Sequence, residues 1–230
     1  MTNKQQTQEV QENGIIDNLG KWLTANKKTV ITAVIAVIAV AGIIAIVDNL
    51  RDRYYQKQWT EVFLAEMKIT AGGDPSAYAP LEEVANKYKK KPAGVYASFV
   101  LGTVLYQQGE FLKAELAYKQ ALEYADEEFA AMITNALLAN TLEAGDFERV
   151  VNLADEFISK NPTSFSIPQI KLYKALGLEY GGKVEEAKEM YKSLEEDYPQ
   201  TYYAAIATAK LTPAPEPKKA AKKTTKKTKK

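Results

Sequence analysis

Residues 29–47, TVITAVIAVIAVAGIIAIV, hold no charged side chain in a 230-residue chain that is 26% charged. At a helical rise of roughly 1.5 Å per residue they extend roughly 28 Å, close to the ~30 Å hydrocarbon core of a bilayer. The run is apolar on every side, whereas a surface helix of a soluble domain shows a polar stripe at the 3.6-residue period. A buried core helix would need a bundle large enough to hide it, and the rest of the chain offers none. Cleavage by a signal peptidase would have to use Ala39-Val40-Ala41, which is followed by further apolar and small residues through Val47, so the cut would fall inside the membrane. The 28 residues ahead of the run are also long for a signal sequence. The segment is therefore expected to be an uncleaved signal anchor, flanked by Lys27 and Lys28 before it and by Asp48, Arg51, Asp52 and Arg53 after it.

Residues 1–13 are polar and Gln-rich, a composition that does not pack a core. In residues 14–28, Ile15, Ile16, Leu19, Trp22 and Leu23 fall on one face of a helix. That pattern fits either a short amphipathic helix with Trp22 at headgroup depth or an unstructured juxtamembrane tail. Charge does not orient the span: Lys21, Lys27 and Lys28 on one side balance Arg51, Arg53 and Lys57 on the other. The absence of cysteine rules out disulfides and fits either compartment.

After residue 53 the chain is rich in Ala, Leu, Tyr, Glu and Lys, with no alternating strand pattern and with turn signals at Gly72-Gly73, Gly109, Gly145 and Gly181-Gly182. An all-α domain over residues 54–211 is expected. Gly109, Gly145 and Gly182 recur at intervals of 36 and 37 residues in one local frame. An apolar residue stands two positions after each glycine (Phe111, Phe147, Val184), and Ala114, Val150 and Ala187 stand three further on. Tyr118, Ala154 and Tyr191 follow, then Ala121, Ile158 and Leu194. A helical hairpin cannot bury both faces alone, so small residues permit close crossing and larger ones fill the seam with the next hairpin. A first hairpin, Gln56 to Ile69 and Pro80 to Lys89, and a terminal helix, Tyr202 to Leu211, are expected at the ends.

At Leu101-Gly102, Gly109, Phe111, Ala114, Tyr118 and Ala121 the chain resembles the tetratricopeptide repeat family. The resemblance covers roughly residues 94–200. Pro162 and Pro199 fall where that family ends its second helix, while Leu138 and Val150 stand where it usually has small residues. The intervals exceed the family's usual period of about 34. The resemblance implies an α-solenoid of three to four hairpins behind one transmembrane helix. It also implies a groove lined by the first helix of each pair, placing Tyr96, Phe99, Thr103 and Tyr106, then Met132, Asn135 and Leu142, then Leu172, Leu176 and Glu179 along it. Some of these side chains equally suit packing between hairpins.

The whole plan of tail, amphipathic stub, single span and repeat domain resembles the ancillary Sec-translocon subunit family of bacterial inner membranes. That resemblance implies a periplasmic repeat domain that associates with the Sec translocon, a periplasmic chaperone and unfolded secretory chains.

The chain has no His and no Cys, which removes the commonest general base, the thiol nucleophiles and the commonest soft metal ligands. No Gly-rich phosphate loop is present. Carboxylates alone remain for catalysis, and the acidic runs 126–128, 185–186 and 195–197 read as solvated helix ends and polar faces. No enzyme, cofactor, metal or small-molecule ligand is expected.

Residues 212–230 form a Pro-rich linker, TPAPEP, followed by KKAAKKTTKKTKK. The lysine segment 218–230 holds eight of the 30 basic residues, leaving 22 against 29 acids in the rest of the chain. Such a tail suits anionic lipid, counterion-releasing contact with nucleic acid, or simple solubilisation. It has no aromatic residue to stack on bases, which argues against specific nucleic-acid recognition. Two functional readings follow: a membrane-anchored, chaperone-like scaffold for protein translocation, and a cytosol-facing adaptor whose lysines touch lipid or nucleic acid.

Overall fold

A computed structural model of the chain describes residues 17–72 and 78–212. The expected N-terminal tail, Ile15, Ile16, Gly73 and the linker and lysine tail beyond Thr212 lie outside the described residues. Every regular element among the described residues is an α-helix.

The chain divides into two compact units after Trp59. In the first, α1 (residues 17–25) ends at Asn26, whose side chain donates to the Trp22 carbonyl at 2.9 Å. Helix α2 then runs Lys27–Gly72 without interruption. The apolar run lies within it, and none of its most apolar window is buried. By length and composition it can cross a membrane. The span and the first helix of the domain, distinct in the sequence reading, are thus one helix. No Gly or Pro stands between Ile43 and Ala71 to stop it, and Arg51 pairs with Asp48 one turn back at 3.0 Å.

The second unit begins at Thr60. The end of α2 packs Val62 and Ala65 into its core and pairs Glu61 with Lys87 at 2.7 Å. Eight further helices follow: α3 (Ala79–Lys87), α4 (Pro92–Gln107), α5 (Phe111–Leu122), α6 (Glu127–Glu143), α7 (Phe147–Lys160), α8 (Ile167–Tyr180), α9 (Val184–Asp197) and α10 (Tyr202–Leu211). Each packs chiefly on its neighbours in sequence. Residue pairs fix the antiparallel sense of α4 and α5: Ser98 meets Gln120, Thr103 meets Tyr118, and Tyr106 meets Phe111. Contacts between successive hairpins keep a constant separation: Asn86–Gln120, Glu115–Arg149 and Gln169–Tyr203 are each hydrogen-bonded across 34 residues.

The three repeated glycines have a common cause. Gly109, Gly145 and Gly182 adopt φ of 75°, 80° and 81°, the left-handed conformation that costs a side chain but not glycine. In each turn the next amide, of Glu110, Asp146 or Lys183, donates back to the carbonyl of Leu105, Thr141 or Leu178 at 2.9–3.2 Å. These bonds satisfy helix-end acceptors and reverse the chain within three residues. The following helices start at Phe111, Phe147 and Val184, the apolar positions that the repeat frame marks.

Side-chain size is complementary across each hairpin. Gly102 lies under the Tyr118 ring, where a Cβ would come within 2.6 Å. Leu138 occupies the equivalent position in the next hairpin, and its equivalent of Tyr118 is Ala154; both are fully buried in one core. Ala175 and Tyr191 restore the small-to-large order in the third. The departure at Leu138 is therefore an exchange of volume, which close-packed interiors tolerate. One register expectation shifts by a residue: Phe157 is buried at the position equivalent to Ala121 and Leu194, while Ile158 is only half-buried.

The core is built in series. One cluster joins the end of α2 to α6, a second joins α6 to α8, and a third joins α8 to α10, with Leu153 and Tyr198 bridging adjacent clusters.

Candidate protein-binding face

The first helices of the hairpins, α4, α6 and α8, together with α10, place a row of aromatic side chains next to one another. Tyr96 stacks on Phe129 at 6.5 Å, and Phe99 meets the same ring edge-on at 5.4 Å. These rings are half-buried, as expected of aromatics that pack on one side and present the other. Further along, Tyr203 of α10 donates to Gln169 of α8 at 3.2 Å. Tyr173 lies near Gln169, Tyr106 and Tyr203, and burial chiefly raises its phenol pKa.

Carboxylates border the row. Burial first, then the nearby Glu66 carboxylate, raises the Tyr96 phenol; burial and Glu143 do the same for Tyr106. At the far edge Glu179 accepts from Tyr191 at 2.6 Å and from Lys210 at 2.9 Å. Burial alone would raise the Glu179 pKa, but these two donors outweigh it and hold the carboxyl below its usual range. Lys210 also lies 5.5 Å from the centre of the Tyr180 ring.

The ten residues expected along the groove fall into three groups. Tyr96, Phe99, Tyr106 and Met132 reach the surface; Met132 is 43% exposed. Thr103 is engaged inside its hairpin, donating to the Phe99 carbonyl at 3.1 Å and accepting from Tyr118 at 3.4 Å, and Glu179 is held by its two donors. Asn135 and Leu172 are buried, and Leu142 and Leu176 pack against the second and third cores. Asn135 spends its amide on Ala131 and on Ser166 at the start of α8. For these four, packing between hairpins describes the geometry.

Phe129, Gln169, Tyr173 and Tyr203 were not anticipated. The glycine frame could have found Gln169, which precedes Gly182 by the same interval as Tyr96 precedes Gly109 and Met132 precedes Gly145. Tyr203 had no such signal, because α10 has no glycine turn after it.

Two clefts of the second unit lie elsewhere. One of about 350 Å³ includes Tyr78, Ser98, Lys113 and Gln120 in its lining, and one of about 330 Å³ includes Phe147, Gly177 and Lys183. None of the ten anticipated residues lines either. Among the described residues no group of acidic side chains is arranged to hold a metal ion.

In comparisons with known proteins, no family model, no curated relative and no solved structure matches the chain.

Proposed function

We propose that this chain is a membrane-anchored protein-binding scaffold: a tetratricopeptide-like α-solenoid held at a bacterial inner membrane by the apolar part of α2. It grips partner proteins through the aromatic row of its first helices. The observation that carries this reading is the coexistence, in one polypeptide, of an unpacked apolar stretch and a series of hairpins whose first helices share half-buried aromatic rings. An unpacked apolar stretch of this length suits a lipid bilayer. Aromatic rings that present one face favour extended or apolar peptide segments over a single small molecule.

The sequence resemblance to the ancillary Sec-translocon subunits supports a periplasmic repeat domain, with the translocon, a periplasmic chaperone and emerging unfolded chains as its partners. Protease added to intact spheroplasts tests the orientation: loss of the second unit supports the reading, and full protection overturns it in favour of a cytosol-facing adaptor. Crosslinking in intact membranes tests the partners. Translocon components and secretory chains are expected, and a catch made up of ribosomal or DNA-bound proteins would refute the proposal.

A further inference from the structure

We propose that the lysine-rich segment 218–230 of this same chain occupies the acid-bordered aromatic row as an internal competitor for the binding face. The inference rests on the reading above only in treating that row as a binding surface.

Three observations support it. The first is charge: the tail carries eight lysines and no acid, while the remainder of the chain has 22 basic against 29 acidic residues. The carboxylates of Glu66 and Glu143 act electrostatically on Tyr96 and Tyr106 of the row. A lysine there meets both a carboxylate and a ring, the combination that favours ion pairing and cation–π contact together.

The second is that the fold makes this kind of contact repeatedly, as at Lys89–Glu123–Tyr124 and Lys171–Asp197–Tyr198, and makes it at the edge of the row as well. Lys210, the one lysine of α10, pairs with Glu179 at 2.9 Å and lies over Tyr180 at 5.5 Å. Glu179 and Tyr180 close the C-terminal end of α8, and Glu143 holds the corresponding end of α6.

The third is reach. Helix α10 ends at Leu211 beside this edge. The linker 212–217 extends roughly 20 Å at ~3.1 Å per residue, about two helix rows at ~10 Å each. That delivers Lys218 to the level of Glu143 and Tyr106. The remaining lysines can then follow α4 toward Tyr96 and Glu66.

The test uses the chain in zwitterionic nanodiscs, full-length and ending at Pro217. A fluorescent peptide, KKAAKKTTKKTKK, is the probe. The shortened chain is expected to bind it saturably and about fivefold or more tightly than the full chain, whose tethered tail competes at high effective concentration. Binding should weaken with added salt and fall about tenfold in the Glu66→Gln, Glu143→Gln double variant, with an unchanged thermal melt as the folding control. A photoreactive group at Ala220 of the full chain should crosslink to α4 and α6. Absence of saturable binding, equal binding by both chains, or crosslinks from Ala220 to lipid alone in anionic nanodiscs each overturns the inference. The two proposals fail separately: capture of unfolded chains by the shortened protein without peptide binding sinks this one alone, and peptide binding without capture sinks the functional reading alone.

Discussion

Ala36, Ala39 and Ala45 in the apolar run are exposed, whereas Ala114, Ala121 and Ala154 in the hairpins are completely buried. The residue is the same and both settings are helical. In the second unit alanine is where one helix approaches another closely, and the large partner across the seam, such as Leu138 opposite Ala154, supplies the volume. In the first unit Ile and Val beside the alanines are equally unpacked, with Ile38 64% and Val37 69% exposed. The contrast teaches that one region draws its order from neighbouring helices, while the other has none against it and exposes a contiguous apolar surface of the kind that marks an interaction site.

Deleting residues 29–47 should break the comparison most completely. The chain should move from the membrane pellet to the soluble fraction after carbonate extraction while its helical signal from the second unit persists. Retention in the pellet would show that something other than the apolar run holds it there. Next in size, Leu138→Ala, at a site with 0% exposure, should cost about 2–5 kcal/mol in thermal or denaturant unfolding in detergent. The same deletion of volume at Ile38 should leave the melt of the second unit unchanged. Gly102→Ala forces a Cβ to within 2.6 Å of the Tyr118 ring and should cost about 1–3 kcal/mol. A second change, Tyr118→Leu, should recover part of that loss if the close approach is the cause.

A smaller effect is expected from the ion pair that ties α10 to α8. Glu179 titrates below the ordinary carboxylate range when folded. Its contribution, on the order of 1 kcal/mol for a partly exposed pair, is therefore present at neutral pH and lost as pH falls below about 4.3 and through the depressed folded value. Glu179→Gln should lower the melting temperature at pH 7 and match the parent chain at strongly acidic pH; an equal difference at both would exclude this linkage. Smallest of all, Leu112→Ser on the outer face of α5, where the side chain is 80% exposed, should change stability by less than about 0.5 kcal/mol.

The hairpin architecture was legible because turns and seams have local causes. A glycine that must take positive φ, an apolar residue at the next helix start and a small residue at the crossing all leave marks at fixed offsets. The aromatic row was legible only in part. Tyr96, Phe99 and Tyr106 stood in frame, but Phe129, Tyr173 and Tyr203 join them through contacts between hairpins. Leu172 and Asn135 went the other way, into the interior, because a helix between two neighbours has two buried faces and spacing along one helix does not say which neighbour takes which face. The continuity of α2 past the charged residues 48–53 was written in the absence of any breaker, and was obscured by the change from apolar to polar composition.

Sequence alone determined that the chain is helical, that one stretch is long and apolar enough to cross a membrane, and that three turns repeat with glycine at their hinge, since each depends on a few adjacent residues. Tertiary structure decided which aromatics share a face, how Leu138 and Ala154 exchange volume, and that Glu179 is shared by Tyr191 and Lys210. Those outcomes depend on side chains brought together from distant parts of the chain, and only the packing of one helix against the next sets their distances.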